Sequence, residues 1–145
     1  MLLRISLILL GVAAPLAAQT NGTRATVDTL ERSASGSYAE DQAAKGKTLY
    51  ETHCASCHET SFHTDEQFRF NWFGRTVYEL FKTLKTTMPE DNPGGLSDDE
   101  YTRVITYILK LNGFAPGTDS LPSDSLVQKR VRIRAAVPDS SKSGK

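Results

Sequence analysis

The stretch HCASCHET, residues 53–60, holds both cysteines of the chain and two of its three histidines. Cys54 and Cys57 stand three positions apart, and His58 follows directly. Three chemistries use thiols and an imidazole at this spacing: covalent attachment of a haem, a redox disulfide, and a zinc site. In the first, the two thiols form thioethers to the two vinyl groups of one porphyrin, and His58 is held beneath the iron. A redox disulfide calls for a βαβ setting, and no alternating strand pattern is legible here. Zinc accepts Cys54, Cys57 and His58 with His53 or His63, but zinc motifs set their second ligand pair well away from the first. Haem attachment is the favoured reading of the three.

A histidine-ligated haem has a sixth iron position, and a ligand for it must come from a segment able to pass around the ring. Beyond the initiator, Met88 is the single methionine. Pro89 after it drives Met88 into an extended backbone. The surrounding TTMPEDNPGG (86–95) carries Pro93, Gly94 and Gly95, as suits a strap across a flat face. A lone methionine is ordinarily core filling; this setting is what makes Met88 the expected sixth ligand. A thioether opposite histidine raises the reduction potential. His63 lies five residues past His58, an extended reach of under roughly 18 Å, barely enough to round a porphyrin edge. His53 precedes Cys54 and stays on the His58 side. Both are expected at the surface or behind the ligands.

Outward from the cluster, the chain has 145 residues, a length that suggests one domain. MLLRISLILLGVAAPLAAQT opens with one charge at Arg4, an apolar run and small residues, the layout of a secretory signal peptide. Residues 1–18 are expected to be removed after Ala18, which implies a periplasmic protein. The rival is a retained anchor, although the apolar stretch of about 17 residues is at the short edge of what spans a bilayer. Membrane association arises only in that second case. The full chain has formal net charge 0, and loss of Arg4 makes it −1, which argues against nucleic-acid binding. Residues 19–37 are small and polar and are assigned to a flexible linker. Residues 38–114 form the domain proper, 115–134 an extension packed on it or flanking it, and 135–145 a disordered tail. A core of that size is close to the roughly 70–80 residues below which a chain needs a staple or a cofactor, and a haem supplies the missing apolar mass.

Three helices are predicted. In LSDDEYTRVITYILKLNG, Ser97 and Glu100 make a capping box, and Asp98 and Asp99 favour the first turn. Tyr101, Val104, Ile105 and Ile108 form the apolar face, and Gly113 is the stop. In TVYELFKTLKTT, Thr76 and Glu79 make a second capping box ahead of Val77, Leu80, Phe81 and Leu84. The first helix, AEDQAAKGKTLYETHC, has Gly46 in its interior at a cost of about 1 kcal/mol relative to Ala. Gly46 makes sense if another helix crosses there; the bland alternative is a weak spot on an exposed helix. Residues 58–75 read as one long loop, unusual unless something functional organises it. The basic run QKRVRIR (128–134) alternates Val131 and Ile133 with charge, as an edge strand, a docking arm or a solvated tail segment would. The acidic residues around the strap (Glu90, Asp91, Asp98, Asp99, Glu100) either steer a basic partner or, as the simpler and favoured reading, mostly cap a helix.

HCASCH, the Met88-Pro89 pair and YTRVITYILKLNGF together resemble class I c-type cytochromes. The similarity is closest to the small monohaem domains of bacterial periplasmic dehydrogenases, especially quinoprotein alcohol dehydrogenases, and spans roughly Tyr38 to Leu126. The resemblance implies an all-α, cytochrome c-like fold of three or more helices around one covalent haem c, with first and last helices crossing. Gly46 and Tyr50 are then expected to meet Val104 and Tyr107. It makes Cys54 and Cys57 the attachment sites, His58 and Met88 the axial ligands, and Trp72 and Arg75 the candidates for propionate contact. The implied role is electron transfer, not catalysis, between redox protein partners: a dehydrogenase donor and an oxidase or other cytochrome as acceptor. Two alternatives stay open, a haem sensor or enzyme with a labile sixth ligand and a zinc-stabilised interaction module.

Overall fold

In the computed structural model, which describes residues 31–134, the first helix, α1 (Glu40–His53), packs across α4 (Asp98–Leu111). The crossing is built on Gly46. A Cβ placed there would lie 1.9 Å from the carbonyl oxygen of Arg103 and 3.2 Å from Cβ of Tyr107. Only a residue without a side chain admits that approach, so Gly46 is no weak spot on an exposed helix. One turn on, the Tyr50 and Tyr107 rings meet at 5.5 Å between centroids. The closest partner of Gly46 is the Arg103 main chain, one position before the expected Val104.

Both predicted capping boxes are present. Thr76 accepts from Glu79 N–H and starts α3 (Val77–Thr87), and Ser97 accepts from Glu100 N–H and starts α4, each with the reciprocal glutamate bond. Helix α3 stops at Met88, whose φ of −131° and ψ of 151° are extended, as Pro89 requires. Asn112 closes α4 and Gly113 follows with φ +79°, the left-handed position that favours glycine. The bonds from their caps hold the carboxyls of Glu79 and Glu100 below the ordinary 4.5, backbone N–H first and side-chain hydroxyl second. A carboxylate depressed in the folded state contributes stability above its unfolded value and loses it as pH falls. Thermal unfolding followed by circular dichroism should therefore lose the contribution of these two carboxylates as pH falls below 4.5. Glu79→Gln with Glu100→Gln keeps the capping geometry without the titration and should flatten that acid limb.

Two features depart from the expectations. Residues 58–75 are not one loop: they contain a 3₁₀ turn (Thr60–His63) and a short helix α2 (Glu66–Trp72), N-capped by Asp65, whose side chain accepts from Phe68 N–H at 2.6 Å. The polar linker also ends before Ser37. Strand β1 (Arg32–Ser33) pairs in parallel with β2 (Val131–Arg132), and Ala34 is fully buried. The segment QKRVRIR thus contains an edge strand with Val131 and Ile133 buried, and α5 (Ser125–Gln128) precedes it. The core is correspondingly larger than Tyr38–Phe114, since Ala34, Leu121, Val131 and Ile133 join it. Residues 1–30, with the expected signal segment and most of the linker, and the tail 135–145 lie outside the described residues. Among the described residues no helix is long and apolar enough to cross a membrane.

The strand pair closes a clasp. Arg132 donates through Nε and Nη2 to both carboxylate oxygens of Glu31, at 2.7 and 2.6 Å, and through Nη1 to the carbonyl of Gly74 at 2.9 Å. Gly74 N–H donates to Ile133 O, and Ile133 N–H donates to Arg75 O, both at 2.9 Å. The α2–α3 corner is therefore fastened to the C-terminal strand on its main chain. On the other side, Gln42 exchanges two hydrogen bonds with the main chain of Leu121, at 2.7 and 2.8 Å, in a buried setting. Gln42→Ala should cost about 1–3 kcal/mol, because it strands a buried N–H and C=O together; urea unfolding measures it.

Candidate haem-binding site

The elements that carry the Cys-x-x-Cys-His cluster and the strap face one cavity of about 900 Å³, within the range of about 300–1,000 Å³ of pockets that take sizeable organic ligands. Cys54, Cys57 and His58 line it from the turn that ends α1, and Met88 and Pro89 line it from the end of α3. Phe62 and Phe68 contribute from the 3₁₀ turn and α2, Leu80 and Leu84 from α3, and Val104 and Ile108 from α4. Most of these walls are apolar. Phe62, a large ring on the cavity, is 57% exposed.

The cluster is shaped by its own main chain. Cys54 N–H and Ala55 N–H both donate to Tyr50 O, and Cys57 N–H and His58 N–H both donate to Cys54 O. This tight turn puts Cys54, Cys57 and His58 on one cavity. The Tyr50 hydroxyl, from α1, donates to the carbonyl of His58 at 2.8 Å. Burial first, then the neighbouring Cys54 and Tyr107, pushes the Tyr50 phenol up to about 12, so it stays a donor. Met88 donates its N–H to Leu84 O at 2.8 Å, and its carbonyl accepts from the Tyr101 hydroxyl at 2.6 Å. The two tyrosines carry no motif. Their roles follow from the fold, where α1 and α4 bring one phenol to each segment.

Cys54 and Cys57 are free thiols. Burial pushes the Cys54 thiol up, the opposite of the lowered value that a redox dithiol needs. Among the described residues, no three His, Cys, Asp or Glu side chains converge as a metal cage, so the zinc reading finds no support. The donors that line the cavity are two thiols (Cys54, Cys57), three imidazoles (His53, His58, His63) and one thioether (Met88), within apolar walls. Those residues fit a haem.

The remaining candidates are placed unequally. Trp72 lines the cavity and is half-buried. Arg75 is exposed, with its guanidinium 5.7 Å from the Trp72 ring centroid, and is not in the cavity wall. His63 is half-buried, its ring edge-on to those of Tyr50, Phe62 and Phe68. Burial first, then the charge of His58, pushes it down to about 4. It lies 5.9 Å from the His58 ring between centroids and shares the cavity wall with it. His53 is exposed at the rim. Of the acidic residues, Asp98 pairs with Lys85 and Asp99 with Arg103, each at 2.5 Å, and Glu100 caps α4. Glu90 and Asp91 line the cavity mouth.

Helices wrapped round a cavity that gathers Cys-x-x-Cys-His and a methionine strap define a class, the all-α domain with a cytochrome c-like fold. More particularly, residues 41–108 match the family model described as cytochrome c oxidase, cbb3-type, subunit III. The matched span runs from the first turn of α1 into α4 and takes in Cys54, Cys57, His58 and Met88. The match supports a class I c-type cytochrome with a haem c electron-transfer role and, in general terms, redox protein partners. No curated protein and no solved structure matches the chain.

Proposed function

We propose that the chain is an exported monohaem c-type cytochrome that passes single electrons from a periplasmic or membrane dehydrogenase to a respiratory acceptor, an oxidase or another cytochrome. The observation that carries this reading is the single cavity reached by Cys54, Cys57, His58 and Met88. Cys54 and Cys57 would hold the haem by thioether bonds, and His58 and Met88 would supply the axial imidazole and thioether. When bound, the haem supplies Fe(III)/Fe(II) cycling. The chain's own contribution is to set the potential through ligand choice and burial and to exclude water with Phe62, Phe68, Leu80 and Ile108. With His58 and Met88 holding the iron, no substrate would reach it, which is the reason to read a carrier and not an enzyme. Trp72, on the cavity wall, and Arg75, stacked on it, are the proposed propionate contacts. The dehydrogenase donor rests on the resemblance to dehydrogenase cytochrome domains. The oxidase acceptor draws on the description of the matched family.

The test is the intact mass of the mature protein after export from a host that attaches haem. One haem retained through denaturation and acid-acetone is expected, and Cys54→Ala with Cys57→Ala should abolish that retention. Colour fully stripped by acid-acetone from the unaltered protein would overturn the reading.

A further inference from the structure

Two main-chain carbonyls at the site are fastened by tyrosine hydroxyls, that of His58 by Tyr50 and that of Met88 by Tyr101. The two are not equally redundant. His58 sits in a turn with its own N–H bonded to Cys54 O, on a segment that would be covalently anchored at Cys54 and Cys57. Met88 begins the strap. Its N–H makes the last bond of α3 to Leu84 O, and the bonds that follow, Asn92 N–H to Pro89 O and Gly95 N–H to Asn92 O, are internal to the strap. Among the described residues, the Tyr101 hydroxyl is the one group outside α3 and the strap that bonds the Met88 main chain. Tyr101 is only 2% exposed, and its ring is edge-on to Phe81 of α3, so the donor is fixed in place by packing. The Lys85–Asp98 ion pair also joins the two ends of the strap. Its side chains are 40% and 51% exposed, and such surface pairs contribute little.

We propose that Tyr101 is a positioning residue for Met88: its hydroxyl pins the start of the strap and so keeps the thioether over the cavity against competing ligands. This rests on the reading of Met88 as the sixth ligand. Removing the hydroxyl leaves a half-buried carbonyl without a donor. That carbonyl regains a partner only by turning toward water, and the strap moves with it.

The test is imidazole titration of the ferric holoprotein, followed by absorption. Tyr101→Phe should bind imidazole about tenfold more tightly than the unaltered protein, the equivalent of one buried hydrogen bond. It should also show a weakened methionine–iron absorption band. Tyr101→Leu, which likewise lacks the hydroxyl, is read in parallel and should move the same way. Asp98→Asn, which weakens the end of the strap without touching the hydroxyl, should stay within about twofold of the unaltered protein. Unchanged imidazole affinity and an intact band in either hydroxyl-free variant would overturn the proposal. So would an equal gain in Asp98→Asn, since that would assign the restraint to the strap as a whole. An unaltered protein with no methionine band, binding imidazole no differently from Met88→Ala, would overturn the ligand assignment itself and the proposal with it. That failure shows before any tyrosine is changed.

Discussion

Met88→Ala should lower the reduction potential by a sizeable fraction of the roughly 0.8 V span that axial ligands command, and it should erase the methionine–iron absorption band. The thioether favours the reduced iron, so its loss favours the oxidised form. A water or an added ligand then takes the position, and the variant should bind imidazole or cyanide where the unaltered protein resists them. The mutation should leave the helices intact, because Met88 is the C-cap of α3 and not part of its buried face. Protein-film voltammetry with absorption spectra checks the expectation. A variant with unchanged potential and spectrum would mean that the iron was never bound by sulfur, the outcome expected of a five-coordinate sensor.

Gly46→Ala should lower stability by about 3 kcal/mol or more, the upper range for overpacking, which is at least about 10 °C in melting temperature for a domain of this size. The sign is the informative part. On an exposed helix, replacing an interior glycine with alanine stabilises by about 1 kcal/mol. Here the new methyl would lie 1.9 Å from the Arg103 carbonyl oxygen, and main chain has no rotamer with which to yield. Helices α1 and α4 would have to separate, opening the cavity wall that Tyr50, Val104 and Ile108 form together. Thermal unfolding of the variant gives the answer, and a rise in melting temperature would refute the crossing.

Much of this was legible in the residues. The capping pairs Thr76/Glu79 and Ser97/Glu100 lie three positions apart and act locally, so they place α3 and α4 without any tertiary knowledge. Gly46 was legible as a crossing because an interior glycine costs stability that something must offset. Cys54, Cys57, His58 and Met88 were legible as one site because the first three share a turn and Met88 is set among prolines and glycines; the structure brings all four to the same cavity. Helix α2 was not legible. Seven residues are too few for a periodic stripe, and the aromatic spacing is ambiguous: Phe68, Phe70 and Trp72 alternate as a strand would, while Phe68 and Trp72 are also four apart as on a helix face; the Asp65 cap was its one local sign. The clasp was hidden for another reason. Arg132 finds Glu31 across 101 positions, and two-residue strands carry almost no pattern. The same holds for Tyr101, whose apolar-face position predicts burial but not the carbonyl its hydroxyl meets.

The parallel pairing of β1 with β2 has a mechanical consequence. A pull that draws the chain before Glu31 and the chain after Arg134 apart runs along both strands in opposite senses. The load then falls together on the bonds from Arg32 N–H to Arg130 O and Ala34 N–H to Arg132 O, on Ser33 Oγ–H to Arg134 O and on the Glu31–Arg132 fork. They must shear as a set, where a hairpin would peel one bond at a time. A domain hung by either end would thus transmit tension through its margin and spare the haem pocket until the margin gives way.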